Sequence, residues 1–293
     1  MRAIGREIER WGTSAGADSR RPGLPWRSTR DPWAVLVSEV MAQQTQLARV
    51  VPAYQRFLAR FPTPAACASS PLGDVLRAWE GLGYNRRARN LHRAALAVVH
   101  EHHGRLPSTL HQLLALPGVG PYTARAVMAF AFEADVGLVD TNAGRVLSRA
   151  VAGRSLRPRE AQDLVDGMVP AGAGWLFGQA LLDLGAELCV PAAPRCRDCP
   201  IRRRCRWAAA GRSGPDPAVG SAGAPSAQGR FDGSDRQGRG RLVSALRTGA
   251  IPAEGVASAI GWSDDPERVA RVVSGLVAEG LVVTDRSGGL RLP

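Results

Sequence analysis

The sequence predicts an all-α protein that ends in a small module of helices and a hairpin, and three observations carry that prediction. Apolar residues recur at three- and four-residue spacing from about Asp31 to Arg149, as in Trp33, Leu36, Val37 and Val40, and again in Leu91, Ala94, Ala95 and Val98. The breaks fall where glycine and proline collect, at 62–64, 81–83, 104–107, 117–121 and 153–158. Strand signals are nearly absent before the last fifty residues, so the main region reads as about ten helices.

The 293 residues suffice for two modest domains, or one larger domain with a tail. A net charge of +12 and a pI near 11.0 point to a polyanionic partner, of which nucleic acid is the commonest. All 38 basic side chains are arginine. Arginine suits phosphate, but without lysine there is no side-chain amine for Schiff-base chemistry. The N-terminus MRAIGREIERWG lacks the apolar core of a secretory leader, and no run approaches the roughly 18 apolar residues of a membrane span. Five cysteines, four of them clustered, favour a metal site in a reducing cytoplasm over disulfides. The isolated Cys67 reads as a small core residue.

The main helical part is expected over 1–207. Residues 208–240 are Gly, Ser, Pro, Ala and Arg with almost no large apolar side chain, so they read as a flexible linker. Residues 241–293 regain a pattern, with three short helices and then a β-hairpin. That order resembles a winged-helix module, a fold used both for DNA binding and for purely structural ends.

Leu113–Ala131 read LLALPGVGPYTARAVMAFA, two helical stretches around a turn at Leu116–Gly120. The glycines stand where a tight turn needs positive φ, and the second helix begins beyond Gly120. Its free N–H groups would offer a phosphate site at Gly118, Val119 and Gly120. A plain helix-turn-helix corner shares the LPG, but the whole string LPGVGPYTA is similar to the helix-hairpin-helix DNA-repair glycosylases, which implies their fold of two helical lobes.

Cys189, Cys196, Cys199 and Cys205 stand at spacings C-x6-C-x2-C-x5-C. Zinc and a 4Fe–4S cluster are both open to four thiolates. Structural zinc usually takes two close pairs, and here only Cys196 and Cys199 make one. The loop 189–205 resembles the endonuclease-III-type iron–sulfur loop, which implies one [4Fe–4S] cluster. Arg195, Arg197, Arg202, Arg203, Arg204 and Arg206 around it would offset the cluster's charge and could face DNA.

Two carboxylates carry the chemistry. Glu39 interrupts the apolar stretch AVLVSEVMAQQ, where a charged carboxylate is costly, so its pKa is expected to be raised. A carboxylic acid held protonated near neutral pH could donate to a ring nitrogen of a nucleobase and improve the base as a leaving group. Asp140 opens a helix at DTN, where its plainest role is an N-cap.

Pro25-Trp26-Arg27, SEVMAQQTQ, GLGYNRRARNLH, LPGVGPYTA and VDTNAGRV occur in an order that resembles MutY-type adenine DNA glycosylases, over roughly residues 20–207. The resemblance implies a monofunctional, monomeric base-excision-repair enzyme acting on double-stranded DNA with adenine mispaired to 8-oxoguanine or guanine. It implies Glu39 as general acid and then base for water, as in two-carboxylate glycosidases. Asp140 would be the electrostatic or nucleophilic partner of the oxocarbenium-like sugar, with Tyr122 and Asn142 as supporting polar groups. The same resemblance assigns Trp26 and Arg27 to the adenine pocket and Gln44, Thr45, Leu82 and Tyr84 to the face that meets the opposite guanine. Tyr84 would wedge into the duplex once the base has left the stack.

Three alternatives stand beside this. A bifunctional lyase needs a lysine near Tyr122, and this chain has none. A mismatch thymine or uracil glycosylase of the same fold fits less well with Glu39 and Gln43-Gln44-Thr45. A non-catalytic iron–sulfur DNA-binding protein would not require both carboxylates. The chain also departs from the family pattern: a winged-helix-like tail stands where relatives carry a NUDIX-like reader of 8-oxoguanine, and Asn85 stands where many have a second tyrosine.

Overall fold

The computed structural model of the protein describes residues 1–14, 23–224 and 229–293. Between Asp31 and Arg149 it holds eight α-helices, the last continued by a π turn from Leu147, where about ten helices were expected. The chain forms two compact units.

The first unit comprises residues 1–35, 108–114 and 119–227. Its helices include Arg2–Thr13, Pro121–Ala131, Pro158–Asp166 and Gly174–Asp183. Ile4 and Ile8 from the N-terminal helix pack with Val146, Leu147, Met168, Phe177, Leu181 and Leu184 in one buried cluster. Two of its helices end in a wider π turn: Thr141–Val146 runs on through Leu147–Ala152, and Gly174–Asp183 through Leu184–Leu188. Such turns re-aim the chain without ending the helix and concentrate near functional sites. Here both lead towards the cysteine loop.

The second unit comprises residues 36–107, 115–118 and 228–293. Its core is aromatic where helix Leu47–Arg60 meets Leu72–Ala78: the Phe57 ring lies 4.9 Å from Phe61 and 5.9 Å, edge-on, from Trp79. Helix Arg86–Glu101 buries the predicted stripe Leu91, Ala94, Ala95 and Val98. Its C-terminal portion has helices Asp235–Leu246, Val256–Ile260 and Pro266–Ala278. A two-stranded antiparallel hairpin follows, pairing Val283 with Arg291 and Thr284 with Leu290, and Ile251 bridges Leu290.

The expected linker is shorter than its composition implied. On its N-terminal side Asp216 pairs with Arg149, the Ser221 hydroxyl accepts the Leu156 N–H at 2.9 Å, and Ala222 N–H donates to the Leu156 carbonyl at 2.8 Å. On its C-terminal side the helix from Asp235 starts six residues before 241. Small polar residues lack apolar area, but they permit close approach and supply hydrogen bonds, which composition does not register. Linker residues 225–228 lie outside the described residues.

Candidate active site

In the second unit Glu39 lies on helix Pro32–Ala42. From Leu36 to Met41 every residue is buried except Glu39, which is half-buried, so the carboxylate is the one polar opening in an apolar run. Gln44 follows, exposed, with φ 54°, and Tyr84 is 43% exposed with φ 47°. Left-handed backbone costs a non-glycine residue of order 1–3 kcal/mol and persists only where the surroundings enforce it.

Arg87 supplies that enforcement, and sequence reasoning missed it. Its Nη1 donates to the carbonyls of Val40 (2.8 Å), Met41 (2.9 Å) and Gln43 (2.6 Å). Its Nη2 donates to the Thr45 hydroxyl (2.9 Å) and to the carbonyls of Leu82 (3.1 Å) and Gly83 (3.3 Å). One guanidinium thus clips the end of the Glu39 helix to the Gly81–Tyr84 turn, and it lies 5.4 Å from the Tyr84 ring. Burial pulls its pKa down to about 10, so the cation is still retained at neutral pH. The signal was present as one arginine within NRRAR, but nothing in the string distinguishes a clip from a phosphate contact.

Leu82 departs from expectation. It is 3% exposed, so its side chain anchors the turn inside the unit and only its backbone shapes the outer face. Thr45 is half-buried, tied to Arg87.

In the first unit Asp140 caps helix Thr141–Val146, accepting the Ala143 N–H at 2.7 Å, as its plainest reading required. It does more, because its other oxygen accepts from Asn142 Nδ2 at 3.1 Å. Burial raises the Asp140 pKa above the usual carboxylate range, while the bonds from Ala143 and Asn142 and the charge of Arg145 oppose that rise without cancelling it. Arg145 is the second residue sequence reasoning missed. It donates to Asn142 Oδ1 at 2.7 Å, to the Gly185 carbonyl at 2.6 Å and to the Cys189 carbonyl at 2.5 Å. Gly185 is needed there: a Cβ would sit 2.6 Å from the Asn142 Cβ. Tyr122 is half-buried in the first turn of helix Pro121–Ala131.

Trp26 and Arg27 lie on a single 3-10 turn, Pro25–Arg27. Arg27 is 5% exposed and forms a two-bond ion pair with Asp183, at 2.9 and 2.6 Å. Its fork is engaged by a buried carboxylate, which ties this turn to helix Gly174–Asp183.

The hairpin has one positive-φ glycine where two were expected. Gly118 has φ 79°, and a Cβ there would lie 2.7 Å from the Asn90 Cβ. Gly120 is extended, φ −91°, and serves as N-cap of helix Pro121–Ala131 with open space around it. Val119 is buried, so only its backbone is available to a phosphate.

Cys189, Cys196, Cys199 and Cys205 all line one cavity, with Val146, Leu184, Leu188 and Ile201 among its apolar walls. No group of three His, Cys, Asp or Glu among the described residues is placed to hold a single metal ion. Sulfur-directed donors are present: Arg149 Nη1 lies 3.6 Å from Cys189 Sγ. Trp207, another lining residue, has a buried Nε1 with no hydrogen-bond partner. Burial raises the Cys189, Cys199 and Cys205 thiols, Cys199 to about 11, so their thiolates need a compensating cation. The six flanking arginines are exposed, with Arg195 and Arg204 tied to Asp198 and Glu7. Cys67 is fully buried, and burial pushes its thiol up to about 12. No described helix is long and apolar enough to cross a membrane.

Residues 37–168 match the family described as HhH-GPD superfamily base excision DNA repair protein. An adenine DNA glycosylase of Mycolicibacterium smegmatis is 40% identical over 279 residues, covering 94% of this chain and 92% of that relative. That extent takes in most of residues 235–293, so the C-terminal portion is shared. The human adenine DNA glycosylase is 42% identical over 209 residues, 64% of this chain and 37% of its own length. Among solved structures, a thermostable thymine-DNA glycosylase aligns with TM-score 0.63 and 28% identity, over 71% of this chain and 96% of that one. An endonuclease III–DNA complex aligns with TM-score 0.62 over 73% of this chain and 97% of that one; at 23% identity it speaks for the fold alone.

Proposed function

Since the chain belongs to the adenine DNA glycosylases of the HhH-GPD base excision repair superfamily, we propose that it removes adenine mispaired with 8-oxoguanine or guanine, with Glu39 and Asp140 as its acting carboxylates. It is a hydrolytic N-glycosylase, and DNA is its partner. The observation that carries the residue assignment is Asp140, a half-buried carboxylate whose two oxygens are oriented by the Ala143 N–H and by Asn142 Nδ2.

In this reading the adenine leaves the stack, Tyr84 fills the gap, and Gln44 and Thr45 meet the opposite base. Glu39 donates a proton to adenine N7, so the departing base carries no negative charge as its bond to the sugar breaks. Asp140, ionised, stabilises the cationic sugar, and the Glu39 carboxylate then takes a proton from the water that adds there. Tyr122 and Asn142 keep the polar surroundings ordered. Gly118, Val119 and Gly120 present backbone N–H groups to a phosphate. With no lysine in the chain, strand cleavage through a Schiff base is not expected.

The four cysteines fit one [4Fe–4S] cluster: they share one cavity, with an arginine beside one sulfur and an unpartnered buried indole N–H. When bound, the cluster would supply a rigid, negatively charged scaffold for the loop that bears the exposed arginines. We propose a monomer acting in the cytoplasm on nucleoid DNA.

Single-turnover base release from duplexes with adenine opposite 8-oxoguanine, adenine opposite guanine, and thymine or uracil opposite guanine tests the reading. Adenine release with breaks only after hot alkali is expected. Release from thymine or uracil pairs alone would overturn it.

A further inference from the structure

Residues 229–293 carry nine arginines against eight carboxylates, so they add almost nothing to the net charge of +12. Several of those arginines are also committed inside the segment: Arg268 and Arg271 pair with Asp235, and Arg239 with Glu279. A segment so nearly neutral lacks the cationic excess that drives phosphate binding. Its bonds run instead to the elements that flank Tyr84. Arg247, just beyond helix Asp235–Leu246, donates through Nε to the Leu76 carbonyl at 3.0 Å and through Nη2 to Asn85 Oδ1 at 3.1 Å. Its own carbonyl accepts from Arg77 Nε at 3.3 Å. Glu279 accepts from Arg86 at 2.6 Å through its carboxylate and from Arg89 through its backbone carbonyl. A Pro293 oxygen accepts the Gly73 N–H at 2.9 Å.

Asn85 follows Tyr84 and is the N-cap residue of helix Arg86–Glu101. Asparagine is favoured at that place because its side-chain oxygen can accept a first-turn N–H. Here it makes no capping bond, and its oxygen is held by Arg247. The side chain beside a left-handed Tyr84 is therefore held by the C-terminal segment rather than by the first turn of its own helix.

We propose that residues 229–293 are a buttress for the Tyr84 turn, and that Arg247, acting through Asn85, is a positioning residue for extrusion of the target base. The proposal rests on Tyr84 as the wedge, and its test separates the two claims. Full-length variants are mixed with a duplex carrying 2-aminopurine at the target position, and the fluorescence rise on unstacking is followed alongside single-turnover adenine release. Arg247→Ala and Asn85→Ala should each slow both by about tenfold, the scale expected when a positioned group is misplaced. Affinity for undamaged duplex should stay unchanged, and the double variant should be no slower than either single one. Asn85→Ala leaves the C-terminal segment intact and keeps the test valid if Arg247→Ala does not fold. Wild-type extrusion in Asn85→Ala, or additive losses in the double variant, would overturn the buttress while leaving the wedge standing. Wild-type extrusion in Tyr84→Ala would overturn both.

Discussion

Arg145 donates its Nε hydrogen to the carbonyl oxygen of Cys189 at 2.5 Å, and with Nη2 it holds the Asn142 side chain at 2.7 Å. The first residue of the cysteine loop and the amide that supports Asp140 therefore share one guanidinium. Removing it leaves buried acceptors unpaired, at about 1–3 kcal/mol each. Arg145→Ala is expected to lower the unfolding midpoint and to lose bound iron and base release together. Iron per chain and single-turnover release check this; full iron content with full activity would show that the two regions are independent.

Glu39→Gln keeps the size of the side chain and removes its acid. Base release should fall by about 10²–10⁴-fold, the usual contribution of a general acid. DNA binding should be nearly unchanged. Equal loss of both, by gel shift and product assay, would place Glu39 in binding rather than proton transfer.

Asp140 gives a pH dependence with a definite sign. Its folded pKa is raised, so between the ordinary carboxylate value and the raised one the folded chain keeps a proton that the unfolded chain has released. This contribution to stability is therefore lost as pH rises through that window, and the ionised side chain remains a fixed cost above it. Asp140→Asn should flatten that fall, since asparagine caps a helix about as well, while base release collapses. Urea unfolding across the acid range measures it; an unchanged slope in the variant would refute the assignment.

The Arg27–Asp183 pair is buried at both ends, 5% and 2% exposed. Breaking such a pair from one side costs about 3–5 kcal/mol because the remaining charge is stranded. Asp183→Ala should lower the unfolding midpoint by several degrees or more. Wild-type unfolding would show that the pair does not hold this turn to the helix.

The cation excess makes a prediction of its own. Affinity for duplex DNA should fall steeply as salt rises, with the slope reporting the phosphates neutralised. Variants at Arg197 and Arg203 beside the cysteine loop should each reduce that slope by about one unit, while Arg236→Ala should leave it unchanged.

By itself the sequence determined the features that repeat at short range. Period-3.6 apolar spacing placed the helices of Leu36–Val40 and Leu91–Val98, LPGVG placed the turn at Gly118, and DTN placed Asp140 at a helix start. These are local because hydrogen bonds four residues apart and single-residue φ preferences decide them. Only the tertiary structure decided where arginines go. Arg27, Arg87, Arg145 and Arg247 look alike in a chain whose basic residues are all arginine, yet each is half-buried or buried against carbonyls or a carboxylate from distant segments. It also decided that Asp216, Ser221 and Ala222 join the first unit, in a stretch whose composition reads as linker. Desolvation and long-range hydrogen bonding set those outcomes, and neither leaves a period in the sequence.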